Sequence, residues 1–251
     1  MSQQIPANYQ PAPGLLQERI ILVTGAGDGI GRVAAENFAA HGATVILLGR
    51  TVAKLEAVYD SIENAGNPMP VIFEFDLLSA TPEEYKALAD EIAKAFGRLD
   101  GLLHNASILG ERTPIANTKA QQWQDVMQVN VNAQMMLTQA VLPLLDAAPA
   151  ASVIFTSSGV GRKGRAYWGA YAVSKFATEG MMQVLADELE NTSSIRVNSL
   201  NPGATRTSMR AAAYPGEDPA TLTTAQQLMP AYLYLMGDDS KQVNGCALNA
   251  Q

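Results

Sequence analysis

The chain has one cysteine, Cys246, and two histidines, His41 and His104, in 251 residues. A lone thiol makes no intramolecular disulfide, and these three groups fall short of a His/Cys metal cage. A disulfide framework and a structural zinc are therefore not expected, no metal ligand is assigned, and a reducing compartment is. Basic residues are also few. Seventeen Lys and Arg stand against 24 Asp and Glu, a formal net charge of −7, so the field of the whole molecule opposes a phosphate backbone and nucleic acid is not an expected partner. Long apolar runs are missing too: the longest uncharged stretch, 126–145, carries Gln128, Asn130, Asn132, Gln134, Thr138 and Gln139 and is too polar for a bilayer core. Residues 1–10 have neither the positive nor the apolar segment of a signal peptide, which makes the cytoplasm the expected location. What is present is a globular composition, 47% hydrophobic, with 20 Gly and 13 Pro.

Residues 1–18 are polar, hold Pro6, Pro11 and Pro13, and read as a loosely ordered tail on the surface. Residues 19–251 read as a single domain, because from Arg19 onward β-branched or aliphatic runs alternate with amphipathic segments. Strands are expected at 20–24, 44–48, 71–75, 99–105, 152–157 and 195–200, with a short one around 243–248. Helices are expected at 29–41, 52–65, 82–96, 118–145, 171–190 and about 222–236. Strands separated by helix-length crossovers must be parallel, and an uninterrupted apolar strand such as 45–48 is buried on both faces. The expected architecture is therefore a doubly wound α/β fold of the Rossmann type, a seven-stranded parallel sheet flanked by helices. The region 202–221, rich in Pro and Gly, is expected to be irregular and, over about 204–221, to form a lid over a site.

Thr24 to Gly31 places glycines at 25, 29 and 31 in the first strand-to-helix turn, where backbone amides and a positive helix end would meet a diphosphate. The spacing is Gly-x3-Gly-x-Gly rather than the commoner dinucleotide fingerprint. At the end of the second strand, where an acid would grip the ribose hydroxyls of NAD, stands Arg50. It either binds the 2′-phosphate of NADP or is a solvated arginine at a strand end, and Asp28 inside the glycine turn pulls against the phosphate. Tyr171 and Lys175 lie four residues apart on one helix face, so the ammonium can stabilise a phenolate that otherwise titrates near pH ~10. Ser158 follows the fifth strand, where a parallel sheet presents its ligand crevice. Its hydroxyl holds a carbonyl oxygen or caps a turn, and Ser157 is the alternative.

These residues together resemble the short-chain dehydrogenase/reductase family over nearly the whole chain from Arg19 to Leu248, in particular bacterial beta-ketoacyl carrier-protein reductase-like oxidoreductases. The matching elements, in order, are Thr24 to Gly31, Asp76 and Leu77 ending the third strand, Asn105 and Ala106 after the fourth, Asn130, Ser158, Tyr171 and Lys175. Pro202 and Gly203 follow, then Thr205 and Thr207. The resemblance implies catalysis by Asn130, Ser158, Tyr171 and Lys175. Tyr171 would be the general acid or base, Lys175 would lower its pKa, Ser158 would orient the substrate oxygen and Asn130 would keep a relay water. It implies a cofactor site of Gly25, Asp28, Gly29, Ile30, Gly31, Arg50, Asp76, Leu77, Asn105, Ala106, Tyr171, Lys175, Pro202, Gly203, Thr205 and Thr207.

The expected function is thus NADP(H)-dependent interconversion of a ketone, 3-oxoacyl compounds first among them, and a secondary alcohol, with NAD(H) as the other cofactor. A small-molecule substrate and a homotetramer, or a homodimer, follow from the same resemblance. The rival reading is a non-catalytic NAD(P)-binding regulatory module on the same fold; an epimerase or dehydratase is disfavoured because about 250 residues leave no large substrate domain. The sequence departs from the family at His104 and Ser107, which flank Asn105 and Ala106, and at 243–248, which lacks a double glycine. His104 reads as a hydrogen-bonding strand residue rather than a base. The loop 159–170 adds Arg162, Lys163 and Arg165 beside the site, either a docking place for an anionic substrate or carrier or a solvated basic loop. Met209, Tyr214, Leu222 and Met229 line an apolar pocket or pack the last helix.

Overall fold

In the computed structural model, which describes residues 4–251, the elements follow the expected alternation. They are β1 (Ile20–Thr24), α1 (Gly29–Ala40), β2 (Thr44–Gly49), α2 (Val52–Asn64), β3 (Val71–Glu74), α3 (Pro82–Phe96) and β4 (Gly101–His104), then α4 (Ala120–Met127), α5 (Ala133–Asp146), β5 (Ser152–Thr156), α6 (Gly169–Leu189) and β6 (Arg196–Asn201). The chain ends with β7 (Thr205–Arg206), α7 (Ser208–Ala213), β8 (Thr223–Thr224), α8 (Ala225–Met236) and β9 (Ala247–Asn249). Seven strands form one parallel sheet in the order β3-β2-β1-β4-β5-β6-β9, while β7 and β8 make a separate two-residue ladder.

Strand alternation decides which face each residue serves. Ile21 and Val23 of β1, with Val45 and Leu47 of β2, face a core built with Phe38, Val58 and Tyr232 of α1, α2 and α8. Leu22, Ile46 and Leu48 face the other core, with Leu88, Val141 and Met182 of α3, α5 and α6. The chain reverses direction across the sheet between β1 and β4, which opens a crevice at the carboxyl ends of those strands. Among the described residues no helix is long and apolar enough to cross a membrane.

Several boundaries depart from expectation. The single helix expected at 118–145 is two, joined by a wide π turn at Gln128–Asn132 in which one extra residue is accommodated. The region expected to be irregular at 202–221 contains α7, N-capped by Thr207, and a 3-10 turn at Pro219–Thr221. The tail expected to be loose is held down, its residues 1–3 lying outside the described ones. Leu16 is fully buried, its amide donates to His41 O, and Tyr9 packs edge-on against Tyr234. The apolar side chains of Leu16 and Tyr9 dock a segment whose composition is otherwise polar.

Candidate functional site

A cavity of about 460 Å³ opens at the carboxyl ends of the strands and runs from the β1–α1 and β2–α2 turns to α6. At its first end Gly25, Asp28, Gly29 and Ile30 form the wall. Gly25 has φ +66°, and a Cβ there would stand 3.0 Å from the Ala106 Cα. Gly31 lies behind the wall rather than on it. A Cβ at Gly31 would come within 2.3 Å of Gly25 O and 2.6 Å of Asn105 Nδ2, so its lack of a side chain is what lets the turn fold under itself. Thr24 ties this turn to β4: its hydroxyl oxygen accepts from the amides of Asn105 and Ala106, both at 3.0 Å.

Asp28 caps α1, accepting from Gly29 N at 2.7 Å, and its other oxygen accepts from Lys54 Nζ at 2.6 Å. The Lys54 hydrogen bond holds the Asp28 carboxyl below the usual carboxylate range. The repulsion expected between Asp28 and a phosphate is therefore met by a cation that sequence reasoning missed. Arg50 and Lys54 both line the cavity across the start of α2, and Arg50 has no carboxylate partner among the described residues. The missed signal was the four-residue spacing of two cations at a helix start. Asp76 and Leu77 complete this end of the wall, with Asp76 Oδ1 accepting from Leu78 N at 3.0 Å.

The other end is built on α6 and the loop after β5. Tyr171, Lys175 and Ser158 all line the cavity. Lys175 Nζ is fully buried, donates to Thr156 O at 2.8 Å and lies 5.5 Å from the Tyr171 ring centroid. Burial draws this ammonium down to about 8, opposed by the charge of Glu179 one turn further along α6. Burial also pushes the Tyr171 phenol up to about 12, with a hydrogen bond to Ser158 working the other way. At Tyr171 desolvation thus outweighs the Ser158 hydrogen bond, while the Lys175 ammonium lies under the ring where a phenolate would form. Ser157, the alternative to Ser158, has its hydroxyl committed to Glu179 at 2.6 Å. Glu179 also accepts from Ser199 Oγ at 2.6 Å and Arg162 Nε at 2.9 Å, and Arg162 reaches on to Leu248 O and Asn249 Oδ1, so the basic loop is anchored to β9.

Pro202, Gly203, Thr205 and Thr207 lie along the same wall, as do Asn105 and Ala106. Thr205 Oγ1 donates to Pro202 O at 3.1 Å, which folds the turn after β6 back toward α7. Met209 lines the cavity from α7, whereas Met229 belongs to the core. Asn130 is not on the wall. It is wholly buried in the π turn, where its side chain accepts from Ile108 N at 2.8 Å and donates to Ile108 O at 2.9 Å and Ser174 Oγ at 3.0 Å. It thus fastens the loop after β4 to α6. His104 is buried as well, bonded to Thr138 Oγ1 at 2.8 Å, stacked on Phe155 and held down to about 3 by burial and then by the charge of Lys175.

The profile of the short chain dehydrogenases matches residues 19–218. The chain is 58% identical over 244 residues to an uncharacterised oxidoreductase, YciK, of Escherichia coli strain K12, covering 97% of this chain and 96% of that one. Among solved structures, a short chain dehydrogenase from Pseudomonas syringae superposes with a TM-score of 0.96 at 58% identity, covering 98% of this chain and 99% of the other. Another, from Escherichia coli CFT073 and complexed with NADPH, superposes with a TM-score of 0.94 at 58% identity, covering 96% and 100%. With the glycine turn, the Tyr171–Lys175 pair and Ser158 gathered in one crevice of a doubly wound sheet, the chain belongs to the short-chain dehydrogenase family of oxidoreductases.

Proposed function

We propose that this protein is an NADP(H)-dependent oxidoreductase interconverting a ketone and a secondary alcohol, with Tyr171 carrying the proton. The observation that carries the reading is one continuous cavity with Arg50 at one end and Tyr171, Ser158 and Lys175 at the other. The chain's residues fit a dinucleotide: the Gly25 turn presents bare backbone, and a Cβ there would collide with Ala106. Arg50 and Lys54 supply two cations for a 2′-phosphate, in keeping with the NADPH complex of the Escherichia coli CFT073 relative. Asp76 and Leu77 would flank the adenine, while Asn105, Ala106, Pro202, Gly203, Thr205 and Thr207 would border the nicotinamide half. When bound, the nicotinamide supplies or accepts the hydride.

The chain's own groups do the rest. Ser158 orients the carbonyl oxygen by hydrogen bonding. Tyr171, its phenol hydrogen-bonded to Ser158, gives its proton to that oxygen on reduction and takes it back on alcohol oxidation. Lys175 stabilises the phenolate left behind from beneath the ring. Asn130 acts as a positioning residue by pinning Ile108 to Ser174. The segment 204–221 serves as the lid, with Met209 and Arg210 on its inner side. Reduction in the cytoplasm is the direction an NADPH enzyme takes, and a 3-oxoacyl-type ketone is the first substrate to try. Assembly into a homotetramer, or a homodimer, would cover Val173, Phe176 and Val184, which α6 leaves exposed, and light scattering measures it.

Titration with NADPH and NADH, followed by a ketone panel, tests the reading. NADPH binding at least tenfold tighter than NADH, with turnover of some ketone, is the expected result. Binding of neither cofactor would remove the enzyme reading.

A further inference from the structure

A second cavity, of about 500 Å³, adjoins the first and shares Ser158, Trp168, Gly203 and Arg210 with it. Its own wall adds Lys163, Arg165 and Tyr214. Tyr214 organises the charge here. Arg165 Nη1 donates to its phenol oxygen at 3.0 Å, and the guanidinium groups of Arg112 and Arg210 lie 4.6 and 3.9 Å from its ring centroid. Arg112 also covers the ring of Trp168 at 4.8 Å.

Among the described residues one carboxylate meets this group: Glu217, paired with Arg210 through both oxygens at 2.6 Å. Lys163 has no partner, and Arg165 no carboxylate, among the described residues. Arg162 of the same loop behaves differently, its charge facing Glu179 and β9. The loop therefore turns two of its three cations toward the cavity. Three cations on the cavity wall, Lys163, Arg165 and Arg210, share one carboxylate, with Arg112 stacked on Tyr214 nearby, so this wall is locally positive in a chain of net charge −7 and suits an anion. Trp168, Ala213 and Val160 pack with Tyr171 and Tyr214 in one apolar cluster beside this charge.

We propose that the second cavity is a subsite for an oxyanion, a carboxylate or a phosphate monoester, carried by the same substrate molecule whose carbonyl meets Ser158 and Tyr171. The substrate class is then a ketone with an apolar or aromatic body and an anionic end. The inference rests on the ketone–alcohol reading above, and the two are separable because binding can be followed without turnover.

The test compares three aromatic ketones: 3-benzoylpropionate, phenacyl phosphate and the neutral methyl 3-benzoylpropionate. Binding is read from Trp168 fluorescence in a Trp123→Phe background with NADP+ present, and kcat/KM is measured with NADPH. At least one of the anions should bind about tenfold or more tightly than the neutral ester, and which one does identifies the source of the oxyanion. In the Lys163→Gln/Arg165→Gln double variant that preference should collapse toward unity, and in the parent it should shrink as salt is raised. Anions and ester binding alike, or a preference that survives the double variant, would overturn the subsite. Turnover of the ester without any anion preference leaves the ketone reading standing and sinks the subsite. Anion-selective binding lost in the double variant, with no ketone turned over by the parent, does the reverse.

Discussion

At one end of the main cavity Arg50 in the β2–α2 turn and Lys54 in the first turn of α2 stand in solvent, while at the other Tyr171 and Lys175 are buried on a long helix and tied to β5. Exposed charges are cheap to place and contribute little without a ligand, so the first end is free to be tuned for one cofactor over another. The buried end carries a standing cost, since desolvation pushes phenol and ammonium both toward their neutral forms. The contrast teaches that affinity and chemistry are held by different physical means within one crevice. The binding end works through accessible charge, and the reacting end through enforced burial.

The sharpest way to test that division is Tyr171→Phe. Turnover should fall by about 10²–10⁴-fold with NADPH affinity unchanged, because the phenol oxygen serves proton transfer; equal losses in binding and rate would erase the distinction between the ends. Arg50→Ala is the mirror experiment. NADPH should bind about 10–100-fold more weakly and NADH almost as before, as measured by titration, since only NADPH bears the extra phosphate. A parallel loss for both cofactors would take Arg50 out of the site.

Gly31→Ala probes the turn that underlies the binding end. A Cβ pressed to 2.3 Å from Gly25 O cannot be relieved by a side-chain rotation, so thermal unfolding should show a loss of about 1–3 kcal/mol, together with weakened NADPH binding. The smallest effect concerns pH. His104 is held down to about 3 when folded against an ordinary 6.5, so below pH 6.5 the unfolded chain binds a proton that the folded chain refuses. That contribution is neutral above 6.5 and destabilises progressively as pH falls toward about 3, by about 1 kcal/mol between pH 6.5 and 5.5. Melts of His104→Gln should lack this limb; an unchanged acid slope would assign it to the carboxylates.

Much of the fold could be read from local signals. The helix α3 shows why: Thr81 and Glu84 form a capping box, Pro82 stands at the first turn and Gly97 closes the end at φ +73°, all within reach of one another in sequence. Tyr171 and Lys175 were legible for the same reason, being one helical turn apart. Asn130 was legible only as a position, not as the clamp between Ile108 and Ser174 that it forms, because its partners lie 22 and 44 residues away. The docking of Leu16, the Lys54–Asp28 pair and the Arg112–Tyr214 stack were invisible for the same cause. Such contacts depend on where the sheet brings distant segments together, and periodicity carries no information about that.

The π turn at Gln128–Asn132 holds one residue more than a regular helix would. Each residue of an α-helix advances its direction by about 100°, and the wide turn absorbs one residue without passing that rotation on, so α4 and α5 keep a common phase. Substitutions on the solvent side of this segment should be accepted freely. Deleting one residue there, for example Asn132, would let the turn close into regular α-helix with Leu137, Val141 and Leu145 of α5 still facing the core, and would shift Asn130 from its hold on Ile108 and Ser174. The extra residue is therefore expected to matter for where Asn130 points rather than for the packing of α5, and a variant lacking it should fold while losing the Asn130 clamp.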